Sequence, residues 1–321
     1  MRVFRGVEGV PDGFGPSAVT VGKFDGVHLG HRDVIRQLCA RADAAGHVPA
    51  VVTFDRNPLS VIRPDLPLPP DLVSPDQKVE LLESAGVAAA LVLEFTPAVA
   101  AWEPEEFVRR VLVDALHARV VLAGSDFRFG SRGAGHLENL RALGGEHGFE
   151  VVVIEDLLLD DAGTPRRASS TWVRELVQSG RVREAARVLG RPPSVRSQVV
   201  HGEKRGRELG YPTANLDPHI EGLLPEDGVY ASWAIVDGER HGSAVSIGNN
   251  PTFEGVPQHQ VEAHLLDRKL DLYDRTIELE FVERIRPMNR FPDAAALVAQ
   301  LDADAARIRE LLASEPGSSR G

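Results

Sequence analysis

The first half of the chain alternates between short apolar runs and segments with helical spacing. Valine-rich runs predict strands at 17–22, 48–54, 87–95, 120–124 and 149–154, and helical spacing predicts helices at 30–45 and 103–118. Continuous apolar strands separated by helices are typical of a parallel sheet covered on both faces. The first half is therefore predicted to be a doubly wound α/β domain, whose ligands bind beyond the carboxyl ends of the strands.

The pattern changes after a Gly-Arg-Pro-Pro segment that begins at Gly190. Two helices precede it, one starting at Ser169 and one ending near Leu189. Short strands separated by Gly, Pro, Asn and Asp then follow at 195–201, 228–236, 242–248, 260–266 and 276–283. Such spacing predicts a small antiparallel β-barrel, and an amphipathic helix at 293–313 closes the chain. The expected organisation is an α/β domain over 1–188, a barrel domain over 189–314 and a flexible tail over 315–321.

Composition narrows the class of protein. The formal net charge of −11 disfavours nucleic acid or an anionic membrane as the main partner. No apolar run reaches the length of a membrane span, and the start of the chain lacks a secretory signal. A single cysteine, Cys39, cannot form an internal disulfide and is expected in the core rather than as a nucleophile. We therefore expect a cytoplasmic protein that is a monomer or a weak homo-oligomer.

Two histidines follow the first predicted strand, where a helix begins. Gly22, Gly26 and Gly30 permit close approach of the backbone to a ligand. The start of a helix also directs free N–H groups and the positive end of its dipole toward an anion. His28 and His31 can donate hydrogen bonds to phosphate oxygens or to a leaving pyrophosphate. The turn predicts a nucleoside triphosphate site; the alternatives are two exposed histidines or a zinc pair, for which no third ligand lies nearby.

Two later segments offer further groups for the same ligand. Asp126, Phe127 and Arg128 lie in a glycine-bounded loop after the strand predicted at 120–124. A later helix start offers hydroxyls, N–H groups and a guanidinium, from Ser169, Ser170, Thr171 and Arg174. An ordinary strand–loop turn and a plain helix cap explain these residues equally well, and both alternatives stay open at this point.

Taken together, the His-x-Gly-His turn, the Gly-x-Asp-Phe-Arg-Phe-Gly loop and the Ser-Ser-Thr-x-x-Arg helix start resemble the adenylyltransferase module of bifunctional prokaryotic FAD synthetases. The resemblance implies that FMN phosphate attacks the α-phosphorus of ATP. It implies a flavin side formed by Asn57, Asp126, Phe127 and Arg128. Asn57 departs from the family, which more often has a histidine there, and Ala168 replaces a usual isoleucine. The implied ATP site comprises Gly22, Phe24, Asp25, Gly26, His28, Gly30, His31, Ser169, Ser170, Thr171 and Arg174.

The barrel half carries a second candidate site, a basic glycine-rich segment that could close on phosphates. Thr213 and Asn215 follow it, two apart in an extended segment, and would face one side. Their oxygens suit Mg²⁺, which prefers oxygen ligands and retains substrate phosphates in its shell. The alternative is a basic β-turn with a solvated face. The predicted phosphate loop comprises Gly202, Arg205, Gly206, Arg207 and Gly210.

Glu262 lies on a strand with alternating pattern and is a candidate general base for a primary hydroxyl. If its side chain points inward it is a candidate base, and if it points outward it is a surface glutamate; the pattern allows both. The polar turn 246–253 could supply carbonyl and amide groups beside it.

The barrel segments resemble the riboflavin kinase module. The motifs Gly-Arg-x-Leu-Gly-Tyr-Pro-Thr-Ala-Asn, Asn-Pro-Thr-Phe and Val-Glu-x-His-Leu-Leu-Asp occur in the family's order. The resemblance implies that Thr213 and Asn215 hold Mg²⁺ and ATP phosphates, while Glu262 activates the riboflavin 5′-hydroxyl toward the γ-phosphorus. Together, the two resemblances cover nearly the whole chain, from about Val19 to Ala313.

The sequence leaves three hypotheses for the function. The first is a bifunctional transferase that converts riboflavin to FMN and FMN to FAD, with riboflavin, FMN and ATP as partners and Mg²⁺ as cofactor. The second is a nucleotidylyltransferase for another phosphorylated molecule, with an unrelated barrel. The third is a non-catalytic flavin-binding protein. Because the motif residues of both sites are present, the sequence favours the first.

Overall fold

The computed structural model describes residues 1–201, 210–248, 260–268 and 270–315. Internal contacts divide the chain into two compact units, Met1–Ser169 and Ser170–Gly321. We call them the sheet unit and the barrel unit after their central elements. None of the helices within the described ranges is long and apolar enough to cross a membrane.

A six-stranded sheet forms the centre of the sheet unit. Its strands are β1 (Arg2–Arg5), β2 (Ser17–Val21), β3 (Val48–Phe54), β4 (Ala89–Leu93), β5 (Ala118–Gly124) and β6 (Glu150–Ile154). They lie in the order β1-β4-β3-β2-β5-β6, and every neighbouring pair is parallel. The strand order reverses beside β2, which pairs with both β3 and β5. The predicted doubly wound α/β fold is confirmed.

Both faces of the sheet are buried, which explains the continuous apolar runs. Along β3, Ala50 and Val52 pack in one core with Val108, whereas Val51 packs in the other with Leu38. Successive side chains of a strand point to opposite faces, so both parities must be apolar. The helices of this unit are α1 (Leu29–Ala45), α2 (Leu59–Ile62), α3 (Pro75–Ser84), α4 (Pro97–Ala100), α5 (Pro104–Phe107) and α6 (Leu137–His147).

The helix predicted at 103–118 differs in the structure. α5 ends at Phe107, a π-helical segment spans Val108–Ala115, and Ala118 already begins β5. The wider turns still bury Val111 and Leu112, so the apolar pattern is satisfied without a regular α-helix. Beyond the central sheet, a hairpin connects β6 to the end of this unit; its strands are β7 (Leu158–Asp161) and β8 (Thr164–Arg167).

The barrel unit contains a closed six-stranded antiparallel barrel, as predicted. Its strands lie in the order β10-β13-β12-β11-β14-β9, and the helices α7 (Ser170–Gln178) and α8 (Val182–Leu189) precede them. The terminal helix α9 (Ala294–Ala313) begins after Asp293, whose Oδ1 accepts a hydrogen bond from Ala296 N at 2.8 Å. The strands are β9 (Ser194–Val200), β10 (Ala214–Leu216), β11 (Gly228–Val236), β12 (Glu239–Gly248), β13 (Gln260–Leu265) and β14 (Thr276–Arg286).

The two faces of the barrel wall carry different cores. Alternate residues such as Ala214, Val261 and Ala263 fill the interior. On the outside, α9 packs through Ile308 and Leu312 against a separate apolar patch. This arrangement determines which side chains of the kinase motifs can reach a ligand, because the interior is filled by apolar side chains.

Candidate active sites

The turn that carries the two histidines, residues 22–31, begins directly after β2 and is tied to the end of β3. We call it the histidine turn. Gly22 N donates to Val52 O at 3.0 Å, and Thr53 Oγ1 donates to Lys23 O at 3.0 Å. Because β2 and β3 are parallel neighbours, these bonds hold the turn at the carboxyl edge of the sheet, where such folds bind ligands.

Two glycines of the histidine turn have a demonstrable conformational role. Gly26 lies in the left-handed region with φ 76° and belongs to the short 3₁₀ turn Asp25–Val27. A Cβ at Gly30 would lie 3.1 Å from the His28 ring and 3.2 Å from Ala168 O. A larger residue there would therefore displace the histidine ring or the backbone at Ala168.

The structure brings His28 and His31 together as a stacked pair. Their ring centroids are 3.7 Å apart, and His28 is only 5% exposed. His28 caps α1 by accepting a hydrogen bond from His31 N at Nδ1, at 3.4 Å, so the proton of neutral His28 resides on Nε2. Burial, together with the electrostatic effect of His28 and of the Arg167 guanidinium, holds the pKa of His31 well below its usual value. A neutral His31 ring still donates through one nitrogen, which suits the binding of phosphate oxygens.

The Asp-Phe-Arg loop follows β5, the other neighbour of β2. Asp126 and Arg128 are exposed, whereas Phe127 is half-buried and stacks on Phe129 with ring centroids 5.5 Å apart. Asp126 Oδ2 accepts from Arg167 at 2.7 Å, and this ion pair lowers the pKa of Asp126. The loop and the histidine turn thus follow adjacent strands at the switch point of the sheet.

Sequence reasoning missed Arg167, the last residue of β8. Its guanidinium bridges Asp126 and Asp156, the latter at 3.0 Å, and its charge acts on His31. No local motif marks this residue, because the hairpin that carries it is a tertiary neighbour of the loop.

Asn57 uses its side chain locally. Its Oδ1 accepts from Leu59 N at 3.2 Å at the start of α2, which leaves the amide NH₂ as the group able to donate to a ligand. Asn57 follows the end of β3 and so belongs to the same edge of the sheet as the histidine turn.

The hydroxyl-rich helix start lies at the division between the two units. Ser169 ends the sheet unit, and Ser170 is the first residue of α7 in the barrel unit. Thr171 is exposed and Arg174 half-buried, while Trp172 and Val173 anchor α7 through its buried side. The helix start is therefore confirmed, and its role toward phosphate stays a prediction.

In the barrel, the strand register brings the predicted kinase residues into one row. Asn215 of β10 lies directly opposite Glu262 of β13, and Glu262 lies opposite Ser246 of β12. Directly opposed residues in an antiparallel pair have Cβ atoms about 4.5–5.5 Å apart. Thr213 lies two residues before Asn215, at the entrance to β10. The register thus sets the Asn215 amide, the Glu262 carboxylate and the Ser246 hydroxyl next to one another.

The question of whether Glu262 points inward is answered by its neighbours. Val261 and Ala263 fill the barrel interior, so Glu262 points away from it. It is nevertheless half-buried, as are Asn215 and Ser246. The inward orientation on which the sequence made the role of Glu262 as a base depend is therefore not observed, but the side chain is not fully exposed either, and its role as a base stays a prediction.

The entrance to β10 is held by side chains from two other elements. His264 Nδ1 contacts Pro212 O at 2.9 Å, and its ring lies 5.1 Å from that of Tyr211. The Tyr211 hydroxyl donates to Asp302 of α9, and this bond raises the pKa of Tyr211. Strand β13 and helix α9 therefore fix the backbone immediately before Thr213.

Part of the predicted kinase site lies outside the described residues. This applies to Gly202, Arg205, Gly206 and Arg207 of the phosphate loop and to the Asn249–Phe253 part of the polar turn. Gly210 is described and has φ 85°, a conformation that favours glycine.

The residues proposed to hold Mg²⁺ fit a hard cation by their chemistry. Asn215 supplies a neutral oxygen on the outward face, opposite the Glu262 carboxylate, and Thr213, two residues earlier, offers a half-buried hydroxyl. Within the described ranges, no group of three or more His, Cys, Asp or Glu side chains is arranged to hold a metal ion. A cation at this row would therefore rely on phosphate oxygens of the substrate for much of its shell, as Mg²⁺ commonly does.

Comparison with known proteins covers both units. A family model described as FAD synthetase matches residues 12–169, and one described as riboflavin kinase matches residues 189–312. Among solved structures, a chain described as a macrolide-efflux protein from Streptococcus pneumoniae shares the fold, with a TM-score of 0.84 and 29% identity over 96% of this chain and 99% of that one. The match of the second model to the barrel argues against an unrelated barrel domain.

Curated relatives named bifunctional riboflavin kinase/FMN adenylyltransferase align over nearly their full length. Those of Listeria monocytogenes and Bacillus subtilis are 35% and 34% identical, over 89% and 90% of each chain respectively. That of Escherichia coli K12 is 33% identical over 97% of each chain. This chain belongs to the family of bifunctional riboflavin kinase/FMN adenylyltransferases, which are transferases.

Proposed function

We propose that the chain phosphorylates riboflavin to FMN at the Asn215–Glu262 row and adenylylates FMN to FAD at the histidine turn, with ATP as co-substrate of both steps. The observation that carries the proposal is the register that sets Asn215 opposite Glu262 on the outer face of the barrel. A hydroxyl acceptor needs a base and a charge-neutralising group within one site, and this row supplies both.

In the kinase step, Glu262 accepts the proton of the riboflavin 5′-hydroxyl. The 5′-oxygen bonds to the γ-phosphorus of ATP as the bond from that phosphorus to the bridging oxygen breaks, and ADP leaves. Mg²⁺, held by Thr213 and Asn215, would supply charge neutralisation on the phosphates. Arg205 and Arg207 of the phosphate loop add donors for the phosphate oxygens.

In the adenylylation step, a phosphate oxygen of FMN bonds to the α-phosphorus of ATP. The bond from that phosphorus to the oxygen shared with the β-phosphorus breaks, and pyrophosphate leaves. The Nε2–H of His28 and the start of α1 donate to the oxygens on which charge develops. Ser169, Ser170, Thr171 and Arg174 bind the β- and γ-phosphates. The flavin side is formed by Asn57, Asp126, Phe127 and Arg128.

The functional boundary is proposed at 188/189, because α7 supplies Arg174 to the adenylylation step although its internal contacts group it with the barrel. The chain is proposed to act in the cytoplasm, in keeping with its single Cys39, and as a monomer or weak homo-oligomer. Cell fractionation and sedimentation at several protein concentrations test the last two.

The central experiment incubates the purified chain with riboflavin and MgATP and follows FMN and FAD by chromatography. FAD should be the end product, with FMN as its precursor. His28→Ala or His31→Ala should stop FAD but spare FMN formation, and Glu262→Ala should abolish FMN formation while FAD still forms from added FMN. Equal loss of both activities in every variant would contradict two separate sites.

A further inference from the structure

Lys78, on helix α3, lies close to the histidine turn. Lys78 is half-buried, and its Nζ donates to Phe54 O, the carbonyl of the last residue of β3, at 2.6 Å. Phe54 immediately precedes Asp55, Arg56 and Asn57, the segment that leads into the proposed flavin side. Lys78 thus holds the point at which β3 leaves the sheet.

The same ammonium group faces the carboxylates around the histidine turn. Its charge interacts with Asp25, the first residue of the 3₁₀ turn before His28, and with Asp71 and Asp55. Asp25 in turn accepts from Leu72 N at 2.9 Å, in the segment that leads to α3. Lys78 therefore adds positive charge beside three carboxylates, of which Asp55 also pairs with Arg56 at 2.7 Å, near a site that must accept a triphosphate.

The position of Lys78 in its helix is unfavourable by local rules. Helix α3 begins after Ser74 with a full capping box, so Lys78 lies in the first turn, close to the positive end of the helix dipole. Burial further opposes the charge and lowers the pKa of Lys78, while the three carboxylates support it. A cation kept there against both effects indicates that its charge interaction with Asp25 and its hydrogen bond to the end of β3 have a role.

We propose that Lys78 is a positioning residue for adenylyl transfer, which ties the histidine turn to the end of β3 and offsets the carboxylates beside the triphosphate site. This inference rests on the proposed function of the histidine turn. Lys78 acts through Asp25 and Phe54, so it sets the position of His28 without itself contacting the reacting atoms.

The test compares Lys78→Met, which keeps the stem and removes the charge, with Lys78→Arg, which keeps the charge. FMN adenylylation with MgATP should lose about 10- to 100-fold in kcat in Lys78→Met, with KM for ATP and FMN changed less than about threefold. Lys78→Arg should recover most of the rate. Riboflavin phosphorylation by the same preparations should stay within about twofold of the unsubstituted chain. The matched control is Asp76→Asn on the same helix turn, an exposed partner of Arg5, which should leave both activities unchanged.

A measurement without substrate separates positioning from general stabilisation. Nitrogen-detected NMR of the histidine rings should show shifted His28 and His31 signals in Lys78→Met and nearly unshifted ones in Lys78→Arg. Adenylylation kcat within twofold of the unsubstituted chain in Lys78→Met, or a rise in KM for ATP at constant kcat, would overturn the inference. If Lys78→Met does not fold, Lys78→Arg decides by the same criteria: normal KM values with most of kcat support it, and a raised KM for ATP at constant kcat overturns it.

The proposed function can be disproved independently of the inference about Lys78. If the unsubstituted chain makes no FAD from FMN, or if His28→Ala retains full adenylylation, the assignment of the histidine turn is wrong. If the unsubstituted chain is active and His28→Ala is not, the result for Lys78 concerns Lys78 alone.

Discussion

Asn215 and Glu262 lie directly opposite one another on β10 and β13, on the outward face of the barrel. Their juxtaposition depends on the strand register, and a slip of one residue would turn one of them into the apolar interior. Val261 and Ala263, which flank Glu262 and point inward, oppose such a slip because it would bury the carboxylate in their place. The packing of the barrel core therefore fixes the relation between the proposed base and the proposed metal ligand.

Replacing Glu262 by Gln should remove the base while keeping the shape of the side chain. General base catalysis typically contributes about 10²–10⁴-fold, so riboflavin phosphorylation should fall by at least about 100-fold. FAD formation from added FMN should persist in the same preparation, as measured by chromatography. The matched control is Glu280→Gln, which removes a barrel carboxylate that binds Arg240, at 2.8 Å. Comparable kinase rates in the two variants would show that Glu262 is not the base.

Replacing Asn215 by Ala should weaken the binding of Mg²⁺ in the kinase step. The loss of one oxygen ligand should cost about 1.4 kcal/mol of the binding free energy of Mg²⁺. The half-saturating Mg²⁺ concentration for FMN formation should therefore rise about tenfold. Asn215→Asp, which keeps an oxygen, should retain more of the affinity. Titration of Mg²⁺ at fixed ATP measures both. The Mg²⁺ dependence of FAD formation from FMN serves as the internal reference, and a parallel change there would place Asn215 outside the kinase site.

Arg174→Ala should affect adenylylation alone. A guanidinium bound to phosphate contributes about 1.5–3 kcal/mol, so the KM for ATP in FAD formation should rise about tenfold or more. FMN formation should be unchanged, although α7 belongs to the barrel unit by its contacts. Initial rates at varied ATP concentration check this. Arg187→Ala, on the exposed side of α8, is the matched control and should leave both KM values as they are.

Regular elements with two buried faces or a strict alternation could be predicted closely. Val48–Phe54 and Gly228–Val236 are observed at the bounds that the sequence predicts. β1 could not be predicted in this way, because Arg2–Arg5 is mostly exposed and lacks an apolar run. Helix α6 contains Gly144 and Gly145, which lower helix propensity; a Cβ at Gly144 would lie 2.7 Å from Phe149 O, so packing requires the glycine.

The residues of the candidate sites also differ in whether the sequence could predict them. His28, His31, Asn215 and Glu262 belong to local motifs, and the structure brings each pair together. Lys78 and Arg167 act through elements distant in sequence, and no spacing rule connects them with the histidine turn. The capping box at Ser74 could have located α3, but its lysine gains meaning only from the fold.

The stability of the sheet unit should depend on the protonation of His31. The pKa of His31 is lowered in the folded chain, whereas the unfolded chain takes up the proton near pH 6.5. Below that pH the unfolded state binds more protons, so the free energy of unfolding should fall by up to about 1.4 kcal/mol per pH unit. The full contribution is present above about pH 6.5 and is lost as the pH decreases.

Urea unfolding at pH 7.5 and 5.5 measures this dependence for the sheet unit. Trp102 reports on that unit if Trp172 and Trp233 of the barrel unit are replaced by Phe. His31→Gln in the same background should lose less stability between the two pH values. An unchanged slope would mean that the proton uptake belongs to other groups.

The stability of the barrel unit should depend strongly on one ion pair between the end of β14 and helix α9. Arg286 Nη2 lies 2.8 Å from Asp304 Oδ2, with side chains only 14% and 5% exposed, and Gln300 donates to the other oxygen of Asp304 at 2.8 Å. Asp304→Ala should lower the free energy of unfolding by about 3–5 kcal/mol, because it leaves a buried guanidinium without its partner. The comparison is Asp267→Ala, which breaks the exposed Arg309 pair on the same helix and should cost less than about 1 kcal/mol. Urea unfolding followed by Trp233 fluorescence, with Trp102 and Trp172 replaced by Phe, measures both; equal losses would show that burial does not set the strength of the Arg286 pair.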